Sequence, residues 1–592
     1  MRYPIYSIAI ILLLFTANPT FWSNEPIWEH KVAPELLDQA ANQEVEFLVY
    51  LHDQASLDAF RQRPAGIQKK QQLLKALRTT TQRTQAPLID LIEAAGQPYR
   101  SFFIANVIYT KGTIDLITTL AKQEAVATIQ PNPWTKLQEP EVHRSLIDLR
   151  DPLEWGIDTI NAALVWELGN RGEGIVVGGQ DTGVEWDHPA LINQYRGWDG
   201  TTAEHNYNWH DAISEISLLH EDPVISPELN RCGLSTGIPC DDLFHGTYTI
   251  SIAVGDDENG NQVGVAPGAK WIACRNMERG YGSPASYIEC FEWFLAPTDT
   301  LGQNPDVAQA PHVLVNSWGC PEIEGCNPDN WALMEQVIET LRTSGIVVVN
   351  SAGNDGPGCN TISKPSAMFK NTLTVGSTTR QDEISGFSSR GLVTVDSSFR
   401  LKPNVVAPGS SIRAATLNGG YTTASGTSAA GPHVAGLVAL MLSANPALIG
   451  EVDLVEDLVE QTAIPLFSND TCNLVPGTAH PNPIFGYGRV DALAAVQAAM
   501  DVVSTTERLS ANDQVLVFPN PVQSEAVFRV RENLTQLDVV LFDGVGRQVY
   551  EASDLGVVGG QCRVEIGHLS KGVYYFQIVA DGAIWVGKLV KG

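Results

Sequence analysis

The stretch SGTSAAGPHVAG at residues 425–436 opens a long apolar segment that runs to Pro446. Apolar residues occupy nearly every face of this segment at helical spacing, so we expect a buried helix. Gly426 and Thr427 precede Ser428, which places a serine hydroxyl at the N-terminus of that helix. The first backbone N–H groups of a helix have no partner within it, so they can bind an anion beside the hydroxyl.

Around this helix, residues 150–500 alternate short apolar strands with helices. That alternation is typical of a parallel sheet with helices on both faces, and it predicts the α/β fold class. One helix, WALMEQVIETLRTSG, is predicted to end at Gly345. The predicted strands are GIVVGGQ (174–180), HVLVN (312–316), IVVVN (346–350), NTLTVG (371–376) and NVVAPG (404–409).

Two further segments each offer one reactive side chain at the end of such an element. Asp181, in QDTG, follows a strand, and His245, in FHGTYT, opens an apolar helix. A serine hydroxyl is a poor nucleophile unless a base lies within hydrogen-bond reach, and histidine exchanges protons near neutral pH. Asp181, His245 and Ser428 are therefore the candidate catalytic residues. Their order along the chain carries little information, since unrelated folds reach one geometry in different orders.

Other residues could compete for these roles. His433 lies five residues beyond Ser428 on the same predicted helix, roughly 140° around its axis, so we interpret it as a packed helix residue. His188, in WDHP, is interpreted as structural. Ser428 stands in Gly-Thr-Ser-Ala-Ala rather than in a GxSxG turn, which disfavours an esterase-type hydrolase fold.

Several stretches over residues 44–500 together resemble the subtilisin family of serine proteases, and within it the bacillopeptidase F group. The resemblance implies that Asp181 orients His245, that His245 is general base and then acid, and that Ser428 is the nucleophile. It also implies that Asn354 donates from its side chain to an oxyanion hole, with the Ser428 backbone N–H as the second donor. The matching stretches are QDTGVEWDHPAL, FHGTYT, VGVAPGAKWIA, VNSWG, NSAGNDG, NVVAPG and SGTSAAGPHVAG.

The same resemblance implies where a peptide substrate would bind. Ser317, Trp318 and Gly319 are similar to the edge segment that pairs with extended peptide backbone, a mode that leaves selectivity to side-chain pockets. Ala352 and Gly353 resemble one wall of the primary pocket. The stretch CNTISKPS (359–366) is expected to supply the pocket floor, without assignment residue by residue, so the cleavage preference stays open.

The chain departs from the family pattern at three positions. Gln180 stands where an apolar residue is usual, Tyr248 where a second histidine is common, and Ala429 where methionine is common. None of these changes removes a catalytic group. Each could alter packing or rate.

The N-terminal region is predicted to serve export and maturation. Residues 1–23 carry Arg2 and the apolar run 8–15, typical of a signal peptide, with an uncleaved anchor as the alternative. Residues 24–140 are predicted to form a small α+β propeptide. The family resemblance implies that it assists folding and acts as an intramolecular inhibitor. Seven basic residues and no acid between 60 and 83 indicate either a solvated helix face or a surface that docks on the acidic remainder.

Residues 505–592 change character after the polar stretch STTERLSANDQ. Short alternating segments such as LDVVLFD and GVYYFQIV are separated by Gly, Asp and Asn turns, which predicts a small antiparallel β-sandwich. FPNP, LFDGVGRQV, KGVYYFQI and the ending GKLVKG resemble a C-terminal sorting domain of the type IX secretion system, which would engage the secretion machinery. The alternative is a generic carbohydrate- or protein-binding β-domain.

The composition of the chain bears on which partners and metal ions it can bind. The 67 acidic residues outnumber the 38 basic ones, giving a formal charge of −29, which disfavours nucleic acid as a partner. The nine cysteines all follow residue 231 and lack a CxxC pair, so disulfides are expected and a structural zinc site is not. The short gaps Cys232/Cys240 and Cys320/Cys326 suggest local bridges. GDDENGNQVG (255–264) could bind a structural calcium ion through Asp256, Asp257, Asn259 and Asn261, or could be an acidic surface turn.

These observations lead to one hypothesis with two alternatives. We predict a monomeric serine endopeptidase, exported through the periplasm and then secreted or held at the cell surface. It would be made as a zymogen, require no cofactor, and hydrolyse protein or peptide substrates through an acyl-enzyme on Ser428. The alternatives are a catalytically silent, subtilisin-like surface or adhesion protein, and a processing protease of narrow specificity.

Overall fold

The described part of the chain divides into two compact units, one ending at Ala499 and one beginning at Met500. The predicted signal peptide, the predicted linker before the β-domain, and Cys320 lie outside the described residues. The computed structural model describes residues 28–61, 63–138, 141–143, 153–217, 219–220, 231–319, 326, 328–502, 516–518, 522–529, 536–543, 546–557, 561–580 and 583–591.

The first unit begins with a small α+β subdomain. Its four strands form an antiparallel sheet in the order β2-β3-β1-β4, with Phe47 and Val49 of the central strand fully buried. Two helices cover one face because their apolar residues recur at helical spacing. The elements are α1 (Pro34–Ala40), β1 (Val45–Leu51), α2 (Asp58–Arg61), α3 (Ile67–Ala94), β2 (Tyr99–Phe102), β3 (Val107–Gly112), α4 (Ile114–Ala121) and β4 (Val126–Pro131).

The chain then passes into a larger α/β subdomain through two short strands, β5 (Thr135–Lys136) and β6 (Glu141–His143). Seven strands of that subdomain form one sheet whose neighbours all run parallel. This confirms the predicted fold class. The sheet comprises β7 (Val176–Asp181), β8 (Trp209–Asp211), β9 (Lys270–Arg275), β12 (Val313–Asn316), β13 (Val347–Ser351), β14 (Leu373–Thr378) and β17 (Val405–Pro408) in the spatial order β17-β14-β13-β12-β7-β9-β8.

Helices pack on both faces of this sheet. The predicted buried helix is α10 (Thr427–Ala444), and its side chains are buried along nearly its whole length. Among the described residues α10 is also the one helix long and apolar enough to cross a membrane, and 89% of that stretch is buried within the protein. The other helices are α5 (Trp155–Thr159), α6 (Ala162–Glu167), α7 (His245–Val254), α8 (Pro284–Leu295), α9 (Pro328–Ser344), α11 (Val452–Gln461) and α12 (Ala492–Asp501).

Eight short strands of the described chain form four small sheets apart from the large one. They pair antiparallel with one another or with the two connecting strands β5 and β6. These strands are β10 (Met277–Glu278), β11 (Tyr281–Gly282), β15 (Gly391–Val393), β16 (Arg400–Lys402), β18 (Ile412–Thr416), β19 (Gly420–Ser425), β20 (Thr471–Cys472) and β21 (Val475–Pro476).

The small subdomain docks on α8 and α9 of the large one. Glu292 of α8 accepts hydrogen bonds from the backbone N–H groups of Phe103 and Ile104, the latter at 2.9 Å. Arg61, one of the seven basic residues, pairs with Glu339 of α9 at 2.9 Å. Lys69 is instead buried, and desolvation of the half-buried Lys70 beside it lowers the pKa of Lys70 to about 8. The basic stretch therefore combines a docking contact with a packed lysine rather than forming one solvated face.

Disulfide bonds cross-link the large subdomain. Of the two predicted local bridges, Cys232–Cys240 is formed, and Cys326 is also disulfide-bonded. Two further bridges, Cys274–Cys290 and Cys359–Cys472, join residues 16 and 113 positions apart, which spacing along the chain could not indicate. Cys562, in the second unit, is a buried free thiol.

The second unit is an antiparallel β-sandwich, as predicted. One sheet has the order β22-β23-β26 and the other β25-β24-β27-β28. Side chains of both sheets, among them Phe528 and Phe576, share one buried core. The strands are β22 (Leu516–Phe518), β23 (Glu525–Arg529), β24 (Gln536–Asp543), β25 (Gln548–Gly556), β26 (Gln561–Glu565), β27 (Gly572–Ala580) and β28 (Ala583–Lys591).

Candidate active site

Asp181 and His245 form a buried pair at the carboxyl end of the sheet. Asp181 is the last residue of β7, and His245 is the first residue of α7. The imidazole Nδ1 lies 2.8 Å and 2.9 Å from the two carboxylate oxygens of Asp181. The Thr182 backbone N–H also donates to Asp181 Oδ1 at 2.8 Å, which holds the carboxylate in place. Since an ionised carboxylate only accepts, Nδ1 carries the proton and Nε2 is the basic nitrogen.

Asp241, which the sequence analysis did not single out, holds the N-terminus of α7. Its carboxylate accepts hydrogen bonds from the Phe244 and Thr247 backbone N–H groups at 2.9 Å each. Thr182 Oγ1 donates to Asp241 Oδ1 at 2.9 Å and accepts from the Gly246 backbone at 3.0 Å. This network ties the end of β7 to the start of α7. An acid a few residues before a helical histidine is the signal that could have identified Asp241 as an acceptor for the first N–H groups of α7.

Ser428 lies in the first turn of α10, as predicted. Its side chain is buried, and among the described residues its Oγ has no hydrogen-bond partner. Ser317 Oγ donates to the Ser428 carbonyl at 3.2 Å, which fixes the backbone of the turn. Helix α10 packs against α7, the helix that His245 begins.

Asn354 is oriented by the same helix turn. Its side-chain Oδ1 accepts from the backbone N–H and from the hydroxyl of Thr427, both at 2.9 Å. Because the carbonyl end of the amide faces Thr427, the Nδ2 group is the end that can donate elsewhere. The amide therefore presents its N–H bonds beside the residue that precedes Ser428, which suits a developing oxyanion.

The predicted substrate-binding residues lie on two adjacent segments beside Ser428. Ser317 and Gly319 follow β12, while Ala352 and Gly353 follow the neighbouring strand β13. The Gly353 backbone N–H donates to Thr427 Oγ1 at 3.1 Å. The side chain of Trp318 is buried and stacks on Tyr287 at a ring separation of 4.0 Å. Trp318 can therefore meet a substrate only through its backbone, the mode that the sequence predicts.

The catalytic and substrate-binding roles of these residues stay predictions. The structure brings Asp181 and His245 into contact, and it sets Asn354 against the helix turn that holds Ser428. His433 and His188 take no part in this cluster. His433 Nδ1 bonds to the Ala429 carbonyl in its own helix, and desolvation lowers its pKa to about 4. His188 is buried and bonds to the Gly420 carbonyl at 2.8 Å.

Two of the three departures from the family pattern lie in one buried cluster. Tyr248 and Ala429 both belong to it, and the Tyr248 hydroxyl donates to the Ile412 carbonyl at 2.8 Å. A small residue at position 429 leaves volume for a larger one at 248, since protein interiors are close-packed. The smaller Ala429 and the larger Tyr248 are therefore compatible within one packed cluster.

The third departure, Gln180, belongs to a ladder of side-chain amides across the carboxyl end of the sheet. Gln180 Nε2 donates to Asn316 Oδ1 at 2.6 Å, and Asn276 Nδ2 approaches Gln180 Oε1 at 3.5 Å. Asn316 Nδ2 in turn donates to Asn350 Oδ1 at 3.3 Å, and Asn350 Nδ2 donates to Ser366 Oγ at 2.7 Å. The ladder crosses the three parallel strands β13, β12 and β7 and reaches Asn276, the residue after β9. We name it the amide ladder.

Replacing Gln180 with the apolar residue usual in the family should destabilise this protein. In Gln180→Val, the buried Asn316 Oδ1 loses its donor, and an unsatisfied buried polar group costs about 1–3 kcal/mol. The free energy of unfolding, measured by denaturant titration in an inactive Ser428→Ala background, should fall by about that amount. Gln381→Val, at an exposed glutamine, is the matched control and should change stability little. Equal stabilities of the two variants would show that the amide ladder is dispensable.

The proposed calcium turn is occupied by protein donors. Asp256 pairs with Arg171 at 2.9 Å, and Asp257 accepts from the Asn261 backbone at 2.9 Å and from the Tyr421 hydroxyl at 3.1 Å. Among the described residues no group of three or more His, Cys, Asp or Glu side chains is arranged to hold a metal ion. These oxygens are engaged as they stand, and calcium at this turn stays a prediction.

Comparison with known protein families gives two matches. A family model described as the subtilase family of peptidases matches residues 172–488, which is more than half of the chain. A second model, described as a secretion system C-terminal sorting domain, matches residues 516–592.

Curated relatives carry related descriptions. Bacillopeptidase F of Bacillus subtilis is 32% identical over 462 residues, which cover 74% of this chain and 29% of the relative. An extracellular protease of Xanthomonas campestris pv. campestris is 30% identical over 404 residues, covering 65% of this chain and 62% of the relative. The major intracellular serine protease of Bacillus subtilis is 28% identical over 306 residues, which cover 51% of this chain and 78% of the relative. The chain thus spans less than a third of the length of bacillopeptidase F.

Proposed function

The chain belongs to the subtilase family, and on that premise we propose that it is a secreted serine endopeptidase, made as a zymogen, that hydrolyses proteins through an acyl-enzyme on Ser428. The observation that carries this proposal is the pairing of His245 with Asp181 at 2.8 Å beside a helix whose first turn holds Ser428. The carbonyl end of the Asn354 amide accepts from Thr427 in the same turn, which leaves the Nδ2 group free to donate elsewhere.

Each residue has a part in the proposed reaction. His245 Nε2 removes the Ser428 proton as Oγ attacks the substrate carbonyl, and Asp181 stabilises the imidazolium that forms. Asn354 Nδ2 and the Ser428 backbone N–H receive the negative charge on the carbonyl oxygen. His245 then protonates the leaving amine, and a water molecule repeats the sequence to release the acid. No step requires a metal or an organic cofactor.

Zymogen control is supported by two strand pairings that flank the candidate site. β5 pairs antiparallel with β11, and the Leu137 N–H donates to the Gly280 carbonyl at 2.7 Å. On the other side, β6 pairs with β19, with Glu141 opposite Ser425. Of these two strands, only β5 belongs to the proposed propeptide, which thus adds a strand to the large subdomain in the way that an extended peptide substrate would.

These pairings also indicate where the propeptide would be cut. A Cβ placed on Gly280 would lie 3.8 Å from Leu137 Cβ and 3.1 Å from a methyl of Leu243, two residues before His245. Glu141 is paired with Ser425, three residues before Ser428. We therefore infer that maturation cleaves the chain between Leu137 and Glu141.

Covalent labelling tests the proposed activity. A fluorophosphonate reacts with a serine only when a base and an oxyanion site activate it, so the matured protein should be labelled at Ser428 and should degrade an unfolded protein substrate. Peptide mapping would locate the label. A folded, matured protein that takes no label and cleaves no substrate would be a silent surface protein, and the proposal would be wrong.

The chain is a secreted or cell-surface protein, because residues 516–592 match a secretion-system sorting domain. We propose that this unit engages the secretion machinery and has no part in catalysis. It has its own buried core and holds none of the candidate catalytic residues. A domain with an independent core can be removed at little cost to its neighbour.

Deletion of residues 505–592 should therefore block the final export step while leaving catalysis intact. In a host with a type IX secretion system, the truncated chain should accumulate in the periplasm while the full-length chain reaches the medium or the surface. After maturation in vitro, both should cleave a peptide at similar rates. Normal secretion of the truncated chain would refute the sorting role, and loss of its activity would mean that the β-sandwich is part of the enzyme.

A further inference from the structure

We propose that the ion pair between Lys364 and Asp355 forms the polar end of the primary specificity pocket and selects substrates with glutamine before the cleaved bond. The inference rests on the proposed function and names its substrate class. The two charged groups are 2.7 Å apart. Lys364 lies in the stretch that the sequence analysis expected to supply the pocket floor.

The geometry begins with two adjacent parallel strands. β12 and β13 pair through Asn316 and Asn350, and each chain then leaves the sheet at its carboxyl end. Ser317 Oγ donates to the Ser428 carbonyl, and Ser351 Oγ donates to the Thr427 carbonyl at 2.8 Å. The two departing segments therefore flank the turn that holds the nucleophile. A substrate side chain entering beside Ser428 would lie between them.

The ion pair reaches from one of these segments to the other. A Cβ on Gly319 would lie 3.4 Å from Lys364 Cβ and 3.5 Å from Lys364 Cδ. A Cβ on Gly353 would lie 3.6 Å from Asp355 Oδ2, the oxygen that pairs with Lys364. Both segments are glycine at these points, so neither position 319 nor position 353 places a side chain of its own against the pair, and the atom nearest to a Cβ on Gly353 is Ser389 Oγ at 3.0 Å. Lys364 and Asp355 keep 26% and 36% of their side-chain surface exposed, so a ligand can reach them.

Both partners are held by the surrounding backbone. The Asp355 N–H donates to Ser389 Oγ at 3.1 Å, and the Met368 N–H donates to the Lys364 carbonyl at 3.1 Å. Ser366, two residues after Lys364, is the terminal member of the amide ladder. The backbone segments that carry the two charged groups are therefore held in place.

This ion pair favours one class of substrate side chain. A carboxamide can accept from the Lys364 ammonium and donate to the Asp355 carboxylate at the same time. A glutamate side chain would be repelled by Asp355, and a lysine side chain by Lys364. An aromatic ring would desolvate both charges without replacing their hydrogen bonds, which is unfavourable. Glutamine has the carboxamide and the longer stem of the two amide residues. The chain's own Gln138 follows Leu137 at the end of the proposed propeptide.

Cleavage of matched peptides by the matured enzyme tests this inference. The peptides would differ only in the residue before the cleaved bond, which would be Gln, Glu, Lys or Phe. We expect kcat/KM for Gln to exceed that for each of the others by about tenfold, the effect of one hydrogen bond to a charged group. A preference for Phe over Gln would overturn the inference.

Two charge-removing variants should switch the preference in opposite directions. Asp355→Asn removes the negative charge, and it should raise kcat/KM for the Glu peptide relative to the Gln peptide by about tenfold. Lys364→Met removes the positive charge, and it should raise kcat/KM for the Lys peptide relative to the Gln peptide to a similar extent. Lys370→Met, at an exposed lysine six residues beyond Lys364, is the matched control and should keep the wild-type ranking.

Fluorophosphonate labelling separates the possible failures. If both variants are labelled like the wild type but keep its ranking, the inference is wrong and the proposed function stands. If the wild-type enzyme takes no label, the proposed function fails and the inference fails with it. Should Lys364→Met lose labelling through misfolding, Lys364→Gln removes the same charge with a polar side chain, and an unchanged ranking in that variant would overturn the inference.

Discussion

Ser428→Ala should lower the catalytic rate by about six orders of magnitude, the scale found when the nucleophile of subtilisin itself is removed. The physical reason is that no other group at the site can form the acyl-enzyme: Asp181 is bound to His245, and Ser317 Oγ donates to a carbonyl. The measurement is kcat on a chromogenic peptide. Ser443→Ala changes a serine near the other end of the same helix, where its Oγ caps the Glu173 carbonyl, and should retain wild-type turnover.

The same variant tests whether maturation is self-catalysed. Produced in a protease-free host, Ser428→Ala should keep its propeptide, while Ser443→Ala should lose it. Mass spectrometry of the wild-type product should place the new N-terminus between residues 138 and 141. A Ser428→Ala chain processed at that position would show that another protease performs the cut. A residual rate within tenfold of wild type would show that Ser428 is not the nucleophile.

Asn354→Ala should lower kcat by about 10²–10³, with KM little changed, which is the effect of one oxyanion donor as measured on subtilisin. The reason is that only the transition state places a full negative charge opposite the Nδ2 group, so the lost interaction does not weaken substrate binding. Steady-state kinetics that resolve kcat from KM provide the measurement.

Asn354→Asp is the matched variant for that prediction. It preserves the shape of the side chain and the acceptor for the Thr427 N–H and hydroxyl, but it replaces the donating group with a second acceptor. We expect a loss in kcat at least as large as in Asn354→Ala. A loss confined to KM in both variants would instead assign Asn354 to substrate binding.

Motif chemistry made much of the candidate site predictable from sequence. The helix whose first turn holds Ser428, the strand that ends at Asp181 and the helix that begins at His245 were all placed by local patterns. Apolar periodicity and glycine positions are properties of a few consecutive residues, so they can be recognised without knowing what packs against them. The α/β class and the C-terminal β-sandwich follow from the same kind of local evidence.

Long-range pairing was not predictable in that way. Two strands of the large sheet, β8 and β9, were not predicted, and the spatial order of its seven strands depends on contacts between distant residues. The bridge between Cys359 and Cys472 closes a separation of 113 residues, which composition cannot indicate. Asp241 looked like an ordinary acidic residue until its carboxylate was seen to bond with Thr182 and with the start of α7.

By itself, the sequence determined the types of element, their order and the reactive side chains at their ends, because each depends on neighbours along the chain. Only the tertiary structure decided how the departures from the family pattern are accommodated. Gln180 is explained by its partners Asn276 and Asn316, and Lys364 acquires a role only because Asp355 meets it. A buried amide or a charge is stable only with a partner, and that partner lies tens to hundreds of residues away or on a neighbouring loop, so folding has to supply it.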